Sequence, residues 1–313
     1  MDVFLVTGVA GFIGRSIAAE LLARGKTVRG IDNFSTGKRE NLQGLDAMDF
    51  VEADINDAAA MTSICRGVEC IFHEAAIPSV PRSIEDPVTS NHASVSGTVQ
   101  LLVAARDARV QRVIYAGSSS VYGNTPTLPK SESMVPNPIS PYAVAKLTCE
   151  YYLRSFTMVY GLETVSLRYF NVFGPHQDPT SQYSGVLAQF IRKMLTGETP
   201  IIFGDGEQSR DFSYIKNVVD GNLLASEAPA ERVSGKVFNL GTGNRVTLNE
   251  VVKMLREITG YSGEVKYAAE RCGDVRHSLS DVSEARKAFG YQPAVQCREG
   301  LEHTVAWFDS TRA

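Results

Sequence analysis

The sequence predicts an α/β protein with a Rossmann-type, doubly wound parallel sheet and a smaller mixed α/β domain. Three observations predict this fold class. Short apolar runs alternate with amphipathic stretches in the first half of the chain, which is typical of parallel βαβ units. A glycine-rich turn follows the first run, and after about Phe170 the elements become shorter and a loop rich in Pro, Ser and Gln appears. We expect one domain over residues 1–170 with a return segment of about 211–245, and a second over 171–210 and 246–313.

The elements of the first domain follow from apolar runs and the residues that stop them. The run over 3–6 ends at a glycine turn, and the next helix places Ile17, Leu21 and Leu22 on one face. Aspartates stop the second and third runs. We therefore expect strands over 3–6, 27–31, 49–53, 70–73, 113–116 and 164–168, and helices over 13–22, 61–65, 97–108 and 142–160.

Beyond residue 170 the predicted elements are fewer. A long loop over 174–185 precedes a helix over 186–196, a strand over 201–203 and a turn at Gly204-Asp205-Gly206. A further strand is expected over 237–240 and an amphipathic helix over 248–259.

Composition excludes several classes of protein. Of 313 residues, 43% are hydrophobic and 21% charged, as in ordinary globular proteins and unlike disordered chains. The formal net charge of −4 gives no basic field for nucleic acid. No apolar run approaches the roughly 20 residues that span a bilayer, and the first residues lack the basic stretch of a signal peptide. We expect neither a nucleic acid nor a membrane as partner.

Cysteines and histidines show no pattern of a disulfide framework or a metal site. The five cysteines are scattered and form no Cys-x-x-Cys pair, which favours a reducing cytoplasm as the location. His73, His92 and His176 lack the spacing of metal ligands and are interpreted as structural.

The first functional motif is the turn Gly8-x-x-Gly11-x-x-Gly14 between a predicted strand and a predicted helix. Glycines there let backbone N–H groups approach a pyrophosphate at the helix N-terminus, although a tight turn that binds nothing has the same spacing. Asp32 ends the second strand, about 20 residues downstream, where a carboxylate would bind an adenosine ribose and repel a 2′-phosphate. The pattern favours NAD over NADP; Arg29 would favour NADP but lies inside the strand.

The end of the third strand adds a candidate contact to the same cofactor. Asp54 and Ile55 follow that strand, where they could reach the adenine. The competing interpretation is that Asp54 caps the next helix.

The second motif is the pair Tyr142 and Lys146, which share a helix face because they are four residues apart. A tyrosine acts as a base at neutral pH if its pKa falls from about 10 to about 7, and a neighbouring ammonium and a cationic nicotinamide would lower it. A surface pair without function has the same spacing. The fifth strand favours chemistry, because it ends in Ser118-Ser119-Ser120 at the edge where open α/β sheets bind ligands.

Four segments together resemble the extended short-chain dehydrogenase/reductase family. They are Gly8-Val-Ala-Gly-Phe-Ile-Gly14, Ser118-Ser-Ser-Val-Tyr-Gly123, Ser140-Pro-Tyr-Ala-Val-Ala-Lys146 and Arg168-Tyr-Phe-Asn-Val-Phe-Gly-Pro175. Within that family the chain is similar to UDP-hexose 4-epimerases, especially the bacterial branch acting on UDP-N-acetylglucosamine, from Val3 to about Trp307. The resemblance implies NAD as cofactor, held by the first domain, and a UDP-sugar substrate, held by the second.

The resemblance also implies roles for individual residues. Ser118, Tyr142 and Lys146 match the catalytic triad. Arg210 and Arg271 match the diphosphate arginines, a role that suits the planar guanidinium, although either could be a surface arginine. The positions matching cofactor contacts are Gly8, Gly11, Phe12, Ile13, Asp32, Asn33, Ser35, Thr36, Asp54, Ile55, Ala75, Ala76, Tyr142, Lys146 and Phe170. Those matching substrate contacts are Ser79, Ser118, Ser119, Ser120, Tyr142, Asn171, Val186, Ile201, Ile202, Phe203, Arg210, Arg271, Asp274 and Ser278.

The reaction that the resemblance implies is epimerisation at the sugar C4. Tyr142 would take the proton of the 4-hydroxyl while C4 gives hydride to NAD, and the 4-keto sugar would turn about its diphosphate before hydride returns to the other face. Related dehydratases carry Asp-Glu after the hydroxyl residue, and UDP-glucuronate decarboxylases carry Glu one position later. Ser119 and Ser120 offer no carboxylate. A UDP-glucuronate 4-epimerase or decarboxylase and a non-catalytic NAD sensor remain the alternatives.

Two positions bear on substrate choice and on a departure from the family. In the resembling epimerases the position of Ser278 flanks the C2 substituent, where a small residue leaves room for an N-acetyl group; the alternative is that Ser278 caps a turn. Ser94 stands where the family commonly has Asn, and Asn91, one turn earlier, is the candidate replacement.

The resemblance further implies a homodimer. The helices over 94–108 and 142–160 match the pair that forms a four-helix bundle between two copies. Leu147, Tyr151, Phe156 and Val159 offer apolar surface for it, unless they simply cover the sheet.

Overall fold

The computed structural model describes residues 2–179, 185–270 and 275–311. Its strands are β1 (Val3–Thr7), β2 (Thr27–Asp32), β3 (Asp49–Glu52), β4 (Cys70–His73), β5 (Arg112–Ser118), β6 (Glu163–Tyr169), β7 (Val172–Phe173), β8 (Ile201–Phe203), β9 (Ser209–Arg210), β10 (Ser213–Tyr214), β11 (Lys236–Leu240), β12 (Val246–Thr247) and β13 (Lys266–Ala268). Its α-helices are α1 (Phe12–Ala23), α2 (Ala58–Ile64), α3 (Val80–Glu85), α4 (Pro87–Asn91), α5 (Gly97–Asp107), α6 (Pro141–Tyr160), α7 (Val186–Leu195), α8 (Ile215–Glu227), α9 (Ala230–Val233), α10 (Leu248–Thr259), α11 (Ser283–Phe289) and α12 (Cys297–Ser310). A π-helical turn, His92–Ser96, and 3₁₀ turns at Arg39–Leu42 and Ser119–Tyr122 complete the elements.

The central sheet has seven strands in the order β11-β6-β5-β4-β1-β2-β3. Every pairing in it is parallel, with Val3 opposite Thr27 and Phe4 opposite Cys70. The predicted fold class is therefore confirmed. The strand order reverses between β1 and β4, and open α/β sheets bind ligands beyond the carboxyl ends of the strands at such a switch point.

Helices cover both faces of this sheet and bury its near-continuous apolar strands, as parallel sheets require. One core lies on the α1 and α8 face and a second on the α2, α5 and α6 face. The long helix α6 begins at Ser140, whose side chain accepts a hydrogen bond from Ala143 N, and ends at Gly161 in the left-handed conformation. This helix lays one face along β5 and β6 and so fixes its first turn at the carboxyl edge.

Each predicted helix and strand has a counterpart, with ends that differ by up to three residues. The predicted strand over 113–116 is longer, because β5 runs from Arg112 to Ser118. The sequence prediction omitted α3, α4, α8, α9, α11, α12 and the π turn, although α12 places Leu301, Val305 and Phe308 at helical spacing. The part of the predicted loop that the structure describes, 174–179, contains neither helix nor strand.

Within the predicted return segment, β11 pairs with β6 and α8 packs against α1. A separate core forms where α7, α10 and α12 pack together. Helix α11 lies in the segment 246–313 but packs on β11. Over the described ranges, no helix is long and apolar enough to cross a membrane, and no cluster of three His, Cys, Asp or Glu could hold a metal ion.

Candidate active site

The glycine turn after β1 is built for close backbone approach. Gly8 has φ +67°, and a Cβ there would lie 2.8 Å from the Cα of Ala75. A Cβ on Gly14 would lie 2.3 Å from the carbonyl oxygen of Gly8. Gly11 stands at the N-cap of α1 and supplies no capping side chain. The first N–H groups of α1 are thus open to an anion such as a pyrophosphate.

Asp32 braces this turn from the end of β2. Its Oδ2 accepts a hydrogen bond from Ala10 N at 2.9 Å, and its Oδ1 accepts one from Phe34 N at 2.7 Å. Burial raises the pKa of the carboxyl, and these backbone donors oppose the rise. The sequence placed Asp32 beside a ribose; the structure shows that it also fixes the shape of the loop that would hold the cofactor.

A cleft of about 430 Å³ runs along the carboxyl ends of β1 to β4. It brings together nine of the predicted cofactor positions, namely Gly8, Asp32, Asn33, Ser35, Thr36, Asp54, Ile55, Ala75 and Ala76. It also includes residues that the sequence did not indicate: Ile31, Ala53, Ile77 and Ala93. Ala93 comes from the π turn, and no local pattern could have revealed its position.

Two side-chain interactions shape the adenine end predicted at Asp54. Asn33 Nδ2 donates to Asp54 Oδ2 at 2.6 Å, and Asn56 N donates to Asp54 Oδ1 at 2.7 Å. The cap of α2 is Asp57, which accepts hydrogen bonds from Ala59 N and Ala60 N. The interpretation of Asp54 as a helix cap is therefore wrong.

Lys146 and Tyr142 lie on α6 beside the end of β5. Lys146 is 4% exposed, and its Nζ donates to the carbonyl of Ala116 at 2.7 Å. The same Nζ lies 5.9 Å from the centroid of the Tyr142 ring. Tyr142 N donates to Ser83 Oγ at 3.0 Å, which fixes the first turn of α6. The predicted base and its ammonium are adjacent, as their spacing indicated.

The serine run forms the end of β5 and the start of the next turn. Ser118 Oγ accepts hydrogen bonds from Ser120 N at 3.2 Å and from Ser120 Oγ at 2.8 Å. Ser119, Ser120 and Ser118 are all half-buried. Because Ser118 accepts two hydrogen bonds, its own O–H is left to donate to a ligand oxygen.

Buried groups surround this edge. His73 bonds through Nδ1 to Thr7 Oγ1 at 2.8 Å and through Nε2 to Thr98 Oγ1 at 2.9 Å, and burial followed by the charge of Lys146 lowers the pKa of His73 to about 3. Burial raises the pKa of Glu74 to about 7, and a hydrogen bond from Tyr169 opposes the rise. His73 is therefore neutral near pH 7, and both of its ring nitrogens are bonded to threonine hydroxyls.

A second cleft, of about 460 Å³, is lined in part by residues of α7, β8, β9 and α10. It gathers the predicted substrate positions Asn171, Val186, Ile201, Phe203 and Arg210, together with Gln208 and Leu248, which the sequence analysis missed. Side chains in a strand alternate in direction. Ile202 is accordingly fully buried in the core, and its side chain is not brought to the cleft.

Ser278 lies beside this second cleft. It is 8% exposed; its Oγ accepts a hydrogen bond from Asn171 Nδ2 at 3.3 Å and one from Asp211 N at 3.4 Å. Its contact with Asn171 joins two of the predicted substrate positions. Arg271 and Asp274, the other candidates of this segment, lie outside the described residues.

The remaining candidates are less accessible. Ser79 is 6% exposed and caps α3 by accepting a hydrogen bond from Arg82 N, and Phe170 is fully buried beside Val121 and Tyr122. Phe12 and Ile13 are half-buried and pack on the core of the α1 face. The structure brings none of these four side chains to the lining of the first cleft.

Ser94, which stands where the family commonly has Asn, lies in the interior. Ser94 is 3% exposed, and its Oγ is buried without a hydrogen-bond partner among the described residues. Its carbonyl accepts from Thr98 Oγ1 and Cys149 Sγ. Asn91 is exposed, so its side chain does not take the buried position.

Comparison with known proteins agrees with this geometry. A model described as the NAD-dependent epimerase/dehydratase family matches residues 4–241. The UDP-glucose 4-epimerase of Mycolicibacterium smegmatis is 41% identical over 309 residues, covering 97% of each chain. A crystal structure of UDP-glucose 4-epimerase with UDP-glucose from Thermotoga maritima has a TM-score of 0.95 at 41% identity, covering 99% of this chain and 100% of that one. A UDP-N-acetylglucosamine 4-epimerase from Methanobrevibacter ruminantium in complex with UDP-N-acetylmuramic acid has a TM-score of 0.94 at 39% identity, covering 99% of each.

Proposed function

The chain belongs to the NAD-dependent epimerase/dehydratase family, and we propose that it is a UDP-hexose 4-epimerase that interconverts UDP-Glc with UDP-Gal and UDP-GlcNAc with UDP-GalNAc. The observation that supports this most is the pairing of Tyr142 with the buried Lys146 at the carboxyl end of β5. β5 is the neighbour of β4, one of the two strands at the switch point of the sheet, and the glycine turn that is open to a pyrophosphate follows β1, the other.

Each residue of the trio has a distinct task in this reaction. The Lys146 ammonium favours the phenolate of Tyr142, which takes the proton of the sugar 4-hydroxyl and later returns it. Ser118 donates its O–H to the same sugar oxygen and keeps it oriented. NAD, when bound along the first cleft, supplies the acceptor and donor of hydride.

The same edge argues against the sibling reactions. Loss of water would need an acid and a base next to the hydroxyl residue. The residues at those positions, Ser119 and Ser120, carry hydroxyls. This supports epimerisation over dehydration and, less strongly, over decarboxylation.

The second cleft suits a nucleotide diphosphate. Its lining combines apolar Ile201 and Phe203 with the guanidinium of Arg210, a base-holding surface beside a cation. The small side chain of Ser278 next to Asn171 supports acceptance of an acetamido group at C2. A UDP-glucuronate 4-epimerase is the second candidate, because epimerisation of a uronic sugar needs the same trio.

We further propose a homodimer through a four-helix bundle that includes α5 and α6. On α6, Tyr151 is 58% and Val159 is 66% exposed, which leaves apolar surface for a second copy. The expectation is wrong for Phe156, which is 7% exposed and packs in the core of the α2, α5 and α6 face, and Leu147 is half-buried against Val121, Tyr122 and Phe170. Light scattering at micromolar concentration tests the dimer; a monomer mass would contradict it.

The catalytic proposal is tested by product analysis. We expect NMR of the products to show C4 epimers of UDP-Glc and of UDP-GlcNAc, with UDP-GlcA as the third substrate in parallel. Turnover of UDP-GlcA alone would favour the second candidate, a UDP-glucuronate 4-epimerase. Tight NAD binding without turnover of any of the three substrates would favour a non-catalytic NAD sensor.

We further propose that the enzyme is located in the cytoplasm, since Cys65, Cys70, Cys149 and Cys297 are free thiols.

A further inference from the structure

A buried ion pair lies directly behind the proposed catalytic residues. Glu150 of α6 and Arg168 of β6 have side chains that are 3% and 4% exposed. Arg168 Nε donates to Glu150 Oε1 at 3.0 Å, and Nη2 donates to Oε2 at 2.7 Å. This is the two-pronged geometry that makes such pairs strong. The proposed reaction uses neither residue, so the pair needs another explanation.

The position of Glu150 on α6 suggests a role for the Glu150–Arg168 pair. Tyr142, Lys146 and Glu150 follow one another at intervals of four residues and so share one face of α6. Each interval is a rise of about 6 Å. A bare carboxylate at Glu150 would thus oppose the Lys146 ammonium one turn away and act on Tyr142 from two turns away, in a region where burial limits screening.

We propose that Arg168 is a positioning residue for charge: by neutralising Glu150, it leaves the Lys146 ammonium as the fixed charge that acts on the Tyr142 hydroxyl. The Glu150–Arg168 pair is then part of the electrostatics of the catalytic site rather than only a brace between α6 and β6. The inference rests on the proposed function in one respect, namely that Tyr142 is the base.

The other titratable groups that face Lys146 and Tyr142 leave this balance in place. His73 is neutral, because burial lowers its pKa to about 3. Burial raises the pKa of Tyr115 and of Cys149, so both stay protonated near neutral pH. Glu74 titrates near neutrality, because burial raises its pKa to about 7. Glu74 is unchanged in all the variants below, so its contribution cancels when they are compared.

Groups on the surrounding elements are weaker or more distant. On α3, Arg82 is half-buried and Glu85 is exposed, and His92 of the π turn is exposed, so solvent screens them. Tyr122 lies with its ring 4.7 Å from the Arg168 guanidinium. Burial raises the pKa of Glu132, and the charge of Arg168 opposes that rise. None of these residues changes in the test.

Substitution of Glu150 and substitution of Arg168 should shift the midpoint of Tyr142 ionisation in opposite directions. In Glu150→Gln the guanidinium of Arg168 keeps its charge at any pH, and position 150, beside which it lies, is separated from Tyr142 by a rise of roughly 12 Å along α6. This extra positive charge favours the phenolate, so we expect the midpoint of Tyr142 ionisation to fall by about one pH unit. In Arg168→Met the carboxylate is left alone and the midpoint should rise. The double variant Glu150→Gln/Arg168→Met should return close to the wild-type midpoint.

The experiment is a spectroscopic pH titration of phenolate in the NAD-containing protein, with the same variant carrying Tyr142→Phe as blank. The pH profile of kcat/KM is recorded in parallel. Glu163→Gln is the matched control, because Glu163 pairs with Arg112 at the opposite end of the sheet; its midpoint should not move.

Opposite shifts in the two single variants support the inference, since a purely structural brace would not produce them. An unchanged or raised midpoint in Glu150→Gln, or an equal shift in Glu163→Gln, overturns it. If Arg168→Met fails to fold, Glu150→Gln decides alone. Opposite shifts in a protein that turns over no UDP-sugar would uphold the charge relation while contradicting the proposed function.

Discussion

The amino and carboxyl ends of the central sheet each carry an arginine–glutamate pair, half-buried at Glu163 and fully buried at Glu150, and the two ends differ in what surrounds the pair. At the amino end Arg112 donates to Glu163 at 2.5 Å. The same guanidinium donates to carbonyls at the end of α8, those of Ala225, Ser226 and Ala228. It therefore satisfies backbone acceptors that a helix terminus leaves open.

At the carboxyl end the strands lead into hydroxyl groups and two clefts. Arg168 donates two hydrogen bonds to Glu150 there. The Nη1 of Arg168 is buried without a hydrogen-bond partner within the described ranges. One turn earlier along α6 is the Lys146 ammonium. We therefore expect the Arg112–Glu163 pair to affect stability, because its donors also bind backbone carbonyls, and the Glu150–Arg168 pair to affect chemistry, because Lys146 and Tyr142 lie nearby. Substitutions at the two ends should separate these effects.

Substitution of Tyr142 should give the largest difference between the effect on turnover and the effect on stability. Tyr142→Phe removes the proton acceptor, so turnover should fall about 10²–10⁴-fold, with NAD content and the unfolding transition close to wild type. Tyr152→Phe is the control, because Tyr152 lies on the same helix and is 41% exposed. Near-normal turnover in Tyr142→Phe, or an equal loss in Tyr152→Phe, would contradict the assignment.

At the amino end we expect a loss of stability and none of chemistry. Arg112→Met leaves Glu163 and three carbonyl oxygens without their donor, and the free energy of unfolding should fall by about 3–5 kcal/mol. Denaturant titration measures this, and kcat of the folded fraction should be unchanged. A drop in kcat without a drop in stability would show that the two ends are not distinct.

A steric change at the second cleft should affect one substrate class. Ser278→Tyr fills the space beside Asn171, and overpacking costs about 1–3 kcal/mol, or roughly 10–150-fold, for the acetylated pair. UDP-Glc turnover should survive. Steady-state kinetics on both substrate pairs are the measurement, and equal loss on both, or no loss, would show that Ser278 is not the gate.

The smallest effect is expected at a cap remote from the hydroxyl edge. Thr247 begins α10 with a capping box, in which its Oγ1 accepts from Glu250 N at 3.1 Å and Glu250 Oε2 accepts from Thr247 N at 2.8 Å. Thr247→Ala should lower the free energy of unfolding by about 1 kcal/mol and leave kcat intact. Thermal unfolding measures the former; a large kcat effect would mean that the cap also shapes the cleft beside Leu248.

The first cleft was largely predictable because its residues follow strand ends in local sequence motifs. Asp32 and Asp54 stand directly after predicted strands, Gly8 lies in the turn after another, and parallel strands bring their carboxyl ends to one edge. Ala75 came from the family resemblance. The position at a strand end also indicated Ser118, whereas the spacing of four residues on a helix indicated the Tyr142–Lys146 pair.

The second cleft was less predictable because its lining comes from separate short elements. Gln208 and Leu248 belong to a loop and a helix start that meet only in the folded chain, and nothing local marks them. At Ile202 a contiguous strand was predicted to bind as a whole, whereas alternation buries its middle side chain. The buried Glu150–Arg168 pair also joins residues that are distant in sequence, so neither residue was a candidate from the sequence.

The most direct test of the proposed 4-epimerisation follows the hydrogen on C4 of the sugar. UDP-glucose carrying deuterium at C4 is incubated with the purified enzyme in unlabelled water, and the product is examined by NMR. We expect UDP-galactose that retains the deuterium at C4, because the hydride removed from one face of the sugar returns to its other face within the same complex. UDP-galactose in which solvent hydrogen has replaced the label, or no UDP-galactose at all, would contradict it.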